Sequence, residues 1–103
     1  MASRPVIDTL EMLGRRWALR LVWELRRDAL GFSQLRARTG ISSSVLAERL
    51  RDLDAGGVVE RDEGRRYRLS AAGRELARVL YDLNRWAEAA ARERQEREAM
   101  LGT

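Results

Sequence analysis

From Ser42 to Ser70 the chain reads SSSVLAERLRDLDAGGVVERDEGRRYRLS, and its apolar period changes once within that stretch. Leu46, Leu50 and Leu53 recur at helical intervals and make one buried stripe. The stripe stops at Gly56 and Gly57, and Gly57 stands where a left-handed residue closes a helix. Val58 and Val59 then begin a short strand, and DEG supplies a turn at Gly64. RRYRLS alternates, with Tyr67 and Leu69 on one face and Arg66 and Arg68 on the other.

The segments on either side are helical. Pro5 suits a first helical turn, and Ile7, Leu10, Met12 and Leu13 give that helix an apolar side until Gly14 ends it. RRWALRLVWELR predicts a second helix from Arg16 to Arg27. Its apolar residues nearly encircle it, as in a well-buried central helix, and Arg20, Glu24 and Arg27 form its polar edge. Gly31 breaks the pattern. SQLRARTG predicts a short helix capped by Ser33, with Leu35 inward and Gly40 closing it. Ser42, Ser43 or Ser44 caps the helix after that. Ser70 caps a last long helix whose apolar face carries Leu76, Val79, Leu80, Leu83, Trp86, Ala87 and Ala90. Its charged end is supported by the pairs Glu88–Arg92 and Glu93–Arg97.

The chain of 103 residues reads as one domain without repeat or linker. An N-terminal helix covers 5–14, a helix-turn-helix 33–57, a hairpin 58–69 and a C-terminal helix 71–99. The fold class is therefore mainly α with a small β-hairpin, a winged helix-turn-helix.

Composition removes several functions. All 20 basic residues are arginine, and Lys, His and Cys are absent. Disulfides and thiol chemistry are excluded, as are the common zinc sites and the usual general base near neutral pH. No metal, cofactor or enzymatic activity is expected. No apolar run approaches a membrane span and the N-terminus lacks a signal-peptide core, so the expected location is the cytoplasm, with no membrane partner. Residues 1–70 hold 14 arginines against 10 acids, whereas residues 71–103 balance. The basic surplus thus sits with the helix-turn-helix and hairpin, which makes double-stranded DNA the expected partner.

Four pieces of the chain, in order and at spacing, resemble the HxlR-type winged-helix transcriptional regulators, a bacterial group allied to MarR. GRRWALRLVWEL is similar to the family's Gly-(basic)-Trp helix. FSQLRARTGISSSVLAERLRDLDAGGVVER resembles its Phe-x-x-Leu, Ile-Ser, Val-Leu, Arg-Leu, Leu and Gly pattern in two parts. YRLSAAGREL resembles its Tyr-x-Leu-(Thr/Ser)-x-x-Gly-x-x-Leu. The similarity runs from about residue 5 to residue 87. It implies a homodimeric DNA-binding repressor or activator whose first and last helices build the dimer, here through Ile7, Leu10, Leu80, Leu83 and Trp86. Two departures stand out. The N-terminal Cys that some members use as a redox or electrophile sensor is missing, which excludes that mechanism. The family wing is longer, while here the turn is only DEGRR, so wing contact with DNA is left open.

With the leucine stripe buried, Ser43, Ser44, Ala47, Glu48 and Arg51 face away from the core and Arg49 lies at the edge. Ser42, Ser43 and Ser44 can bind phosphate at a helix start. Glu48 suits a cytosine amine, Arg49 and Arg51 a guanine or phosphate, and Ala47 a thymine methyl. The plainer reading is a serine cap and a solvated ion pair. Arg65 and Arg66 at the hairpin suit minor-groove or phosphate contact, or edge protection. Arg16, at a helix start where the dipole disfavours a cation, suits a phosphate. Trp17, Trp23 and Tyr81 suit either core packing or a pocket for a small-molecule effector. The leading expectation is a homodimer reading a pseudo-palindromic operator through the helix after Ser42. Its rival is a winged helix used for protein–protein contact without specific DNA reading.

Overall fold

The computed structural model describes residues 5–102. Five helices and one hairpin follow in the order α1 (Pro5–Leu13), α2 (Ala18–Glu24), α3 (Phe32–Thr39), α4 (Ser43–Ala55), β1 (Val59–Arg61), β2 (Tyr67–Leu69) and α5 (Ala71–Leu101). The leucine stripe makes the core. Leu46 and Leu53 of α4 are fully buried with Leu21 and Val22 of α2, Leu35 of α3 and Val59 of β1, and Leu50 nearly so. Each such side chain contributes about 1.5–3 kcal/mol relative to exposure.

The helix ends follow from local chemistry. Ser42 is the cap of α4, its Oγ accepting the Val45 N–H at 3.3 Å. Gly40 closes α3 at φ 74°, and Gly57, just beyond α4, has φ 75°. Ser70 caps α5 by accepting the Gly73 N–H at 3.0 Å, while its hydroxyl donates to the Gly57 carbonyl at 2.6 Å. The cap thereby ties the start of α5 to the end of α4.

Two helix starts and one ion pair differ from the sequence reading. The second helix is shorter, because Trp17 takes a left-handed backbone (φ 78°) and the chain enters α2 only at Ala18. Trp17 is only half-buried, so the bulky ring sits over the edge of the core rather than inside a continuous helix. Ser33 is not the cap of α3. The helix starts at Phe32 with Gly31 as its cap, two residues before Ser33, and the Gln34 side-chain oxygen accepts the Gly31 N–H at 2.8 Å. On α5, Glu88 accepts from Asn84 at 3.3 Å instead of pairing with Arg92, whereas Arg97 and Glu93 do pair at 3.5 Å.

The hairpin is antiparallel, with Val59 opposite Leu69, Glu60 opposite Arg68 and Arg61 opposite Tyr67. Tyr67 also exchanges backbone hydrogen bonds with Leu30, at 2.8 and 2.9 Å, which fastens the wing to the link between α2 and α3. In its loop the Arg65 N–H bonds the Asp62 carbonyl at 3.0 Å and the Asp62 N–H bonds the Arg66 carbonyl at 2.8 Å. This is a type I turn followed by a left-handed residue. That residue is Arg65 (φ 63°), not Gly64.

Gly73 permits the last helix to seat. A Cβ there would stand 2.1 Å from the Val58 carbonyl oxygen. The remainder of α5 leaves the body: of its 31 residues only Gly73, Ala77 and Leu80 are buried. Leu80 is therefore a core residue of the subunit, a correction to its expected place in a dimer surface. Among the described residues no helix is long and apolar enough to cross a membrane, and none of their acidic clusters could hold a metal ion.

Candidate nucleic-acid interface

Helix α4 turns one face to the core and leaves Ser43, Ser44, Glu48 and Arg51 exposed and Ala47 half-buried. Ser42 spends its hydroxyl on the cap, and Ser44 Oγ lies 3.4 Å from Ser42 Oγ. Ser43 and Arg51 make no side-chain hydrogen bond or ion pair among the described residues. They are free to engage something outside the protein.

Arg49 is different. Its side chain is only 17% exposed. Nε donates to the Arg16 carbonyl at 2.9 Å, and Nη1 lies 3.4 Å from both the Asp52 and Glu48 carboxylates. Arg15 reaches the same Asp52 oxygen at 3.3 Å. The guanidinium is an internal anchor that fixes α4 against the α1–α2 turn. The Arg16 side chain, by contrast, is exposed and stacks 5.3 Å from the Trp17 ring centre. It does not start a helix, so the dipole argument made from sequence loses its basis.

In the wing, Arg66 pairs with Asp62 at 3.3 Å and Arg68 with Glu60 at 3.0 Å. The Arg66 backbone N–H also bonds the Asp62 carboxylate, and together with the guanidinium this holds that acid below the usual carboxylate range. Arg65 and Arg61 have no carboxylate partner among the described residues. In α3, Arg38 lies 3.9 Å from Glu24, which also binds Arg20, while Arg36 is exposed without an ion pair among the described residues. Sequence reasoning missed Arg36 and Arg61. The signal for Arg36 was its place beside inward Leu35; for Arg61 it was the register with Tyr67, which only pairing reveals.

Two short helices joined by a tight turn, with the second exposing its outer face beside a hairpin, form a winged helix-turn-helix. A model of the HxlR-like helix-turn-helix matches residues 12–95. The chain belongs to the HxlR-like helix-turn-helix family.

Relatives agree. The uncharacterized HTH-type transcriptional regulator YvaP of Bacillus subtilis is 33% identical over 85 residues, covering 76% of this chain and 79% of that protein. Mb3122 of Mycobacterium bovis, also an HTH-type transcriptional regulator, is 34% identical over 77% of this chain but only 54% of its own length. Quinone-bound YodB from B. subtilis superposes with a TM-score of 0.75 at 28% identity, over 84% of this chain and 99% of that one. The redox regulator HypR in its reduced form gives 0.73 at 27%, over 84% and 92%. The chain is thus a transcriptional regulator of the HxlR type.

Of the three residues expected at an effector pocket, the structure brings two together. Trp23 and Tyr81 meet edge to face with centroids 5.2 Å apart. Of the three, only Trp23 lines the apolar groove of about 330 Å³ beside it, floored by Leu19, Leu80, Leu83 and Ala87; Trp17 and Tyr81 do not. Arg26 stacks on Trp23 at 3.9 Å. The Arg26 and Arg27 guanidiniums facing it hold the Tyr81 phenol below the usual tyrosine range.

Proposed function

We propose that this HxlR-type regulator binds double-stranded DNA sequence-specifically as a homodimer. Two α4 helices would enter successive major grooves of a pseudo-palindromic operator, about 34 Å apart. The observation that carries this reading is the outer face of α4, where Ser43 and Arg51 stand exposed and unpaired among the described residues while Arg49 anchors the helix from beneath. In this reading Ser43, Ser44, Ala47 and Glu48 meet the groove, and Arg51 beside them meets a guanine or a backbone phosphate. Arg16, Arg36 and Arg65 meet backbone phosphates. Ser42 and Arg49 position the helix, and Arg66, already paired, contributes less.

The dimer is supported by apolar side chains that the subunit leaves uncovered. Leu83 is 49% and Trp86 67% exposed on α5, and Ile7 and Leu10 are exposed on α1. A second copy is the natural cover for these surfaces. An aromatic small molecule in the groove between Trp23 and Leu83 would bind against both α2 and α5 and so bear on the dimer. Quinone-bound YodB lends that reading a precedent, without a cysteine here to react.

The experiment is fluorescence anisotropy of a duplex from upstream of the protein's own gene, titrated at two salt concentrations with excess random DNA present. Saturable, salt-sensitive binding that survives the competitor is expected. Equal weak binding to any duplex would remove operator reading and leave the winged helix as a protein-contact module.

A further inference from the structure

Between α4 and the wing lies a notch of about 250 Å³ lined by Ala47, Leu50, Arg51, Asp54, Arg61 and Tyr67. Its charged groups are two guanidiniums and one carboxylate, a net charge of +1. The two cations come from different elements, one from the outer face of α4 and one from β1, so the notch brings a cation of the helix and a cation of the hairpin to one lining.

Arg61 differs from its neighbours in the hairpin. Arg66 and Arg68 are each neutralised by a carboxylate, Asp62 and Glu60. Arg61 instead lies 4.7 Å over the centre of the Tyr67 ring and hydrogen-bonds the Tyr67 hydroxyl. Tyr67 is buried and held by Leu30 on both backbone sides. A neutral phenol orients the guanidinium without cancelling its charge. The result is a cation whose rotamers are already restricted, which lowers the entropy lost when it binds an anion. Its fork geometry suits the two oxygens of a phosphodiester.

We propose that this notch is a binding site for one backbone phosphate of the DNA strand passing between α4 and the wing, held by Arg61 from β1 and Arg51 from α4. The proposal rests on the DNA-binding reading above and adds to it a ligand, a location and a residue. The net charge of the site matches a single phosphodiester. Asp54, in the same lining, offsets one of the two cations. A short wing is then no handicap, because the contact comes from the strand and not from the loop tip.

The test uses the full chain, the upstream duplex and a random duplex, with salt varied from about 50 to 400 mM. Arg61→Gln keeps a polar, hydrogen-bonding side chain but removes the charge. It is expected to lower the magnitude of the slope of log affinity against log salt by about 0.9 on both duplexes, one phosphate's worth. At 0.1 M salt that slope corresponds to about an eightfold loss relative to a 1 M reference. Arg61→Lys restores the slope, and Asp54→Asn tightens binding to both duplexes. Arg78→Gln, on the remote α5 face, leaves the slope unchanged. A circular dichroism melt checks that each variant folds; if Arg61→Gln does not, the Lys and Asp54 variants carry the test. Arg61→Gln with an unaltered slope overturns the notch while leaving DNA binding intact. Asp54→Asn without gain overturns it as well. A wild-type protein that binds neither duplex overturns the DNA-binding reading itself, and the notch with it.

Discussion

Arg49 Nε donates a hydrogen bond to the backbone carbonyl of Arg16 at 2.9 Å, across 33 residues of sequence. The bond joins the helix that faces DNA in the proposed function to the turn that follows α1. Since Asp52 holds both Arg49 and Arg15, α4 is braced at one point by two cations.

Arg49→Ala should therefore destabilise the fold by about 2 kcal/mol, the range for a hydrogen bond from a charged donor that is mostly withdrawn from water. Urea denaturation measures it. Arg49→Lys should recover less than half, because an ammonium cannot reach a carbonyl and a carboxylate in two fixed directions. A melt of the Ala variant that matches wild type would show that the anchor does not matter.

Ser42 and Ser43 are adjacent but should separate cleanly. Ser42→Ala removes the α4 cap and should cost about 1 kcal/mol. Ser43→Ala should leave stability within about 0.5 kcal/mol, since its side chain is exposed and makes no bond in the protein. Operator affinity, read by anisotropy, should fall for Ser43→Ala if that hydroxyl meets DNA. Unchanged affinity would assign the serines to capping alone.

Arg65 holds a left-handed backbone that glycine adopts without strain (φ 63°). Arg65→Gly should thus stabilise the protein by about 0.5–1 kcal/mol even though it deletes a side chain. The same change should weaken DNA binding by removing a cation with no carboxylate partner among the described residues. A gain in Tm together with a loss of affinity is the expected pair. A loss of both would mean that the arginine side chain supports the turn.

Asp62 has its folded value held down by the Arg66 N–H and guanidinium. For an acid lowered on folding, the stabilisation is present above the unfolded value, about 3.9, and is lost as pH falls through the folded value. The wing turn should loosen below about pH 4. Amide exchange at Arg66 reports this, and Asp62→Asn should abolish the pH dependence.

Leu83 and Trp86 are the test of the dimer. Replacing both with serine should shift sedimentation toward the monomer with little change in helix content, because neither is buried within the subunit. A wild-type protein that sediments as a monomer would leave these surfaces for another partner.

Much of the architecture was legible because it rests on local patterns. The i, i+4, i+7 spacing of Leu46, Leu50 and Leu53 predicts α4 and its buried face, and all three are buried. Gly40 and Gly57 predict their left-handed conformations by lacking a Cβ. The alternation around Tyr67 predicts β2 and which side faces inward. Where the reading failed, a non-local contact had overridden a local preference. The helical run from Arg16 predicts a start that the structure delays to Ala18, where Trp17 reaches the core edge at the expense of a left-handed backbone. Gly64 does lie in the hairpin turn, as expected, but the left-handed position, which the sequence left unassigned, falls on Arg65.

The sequence by itself determined the winged helix-turn-helix, because periodicity, caps and glycines act within a few residues of one another. It also determined that the basic surplus belongs to the first 70 residues. Which arginines are free to act was decided only by the tertiary structure. A guanidinium's availability depends on the carboxylate or carbonyl that folding places beside it. Arg49 and Arg66 are occupied within the protein, and Arg51, Arg61 and Arg65 are left without a carboxylate among the described residues.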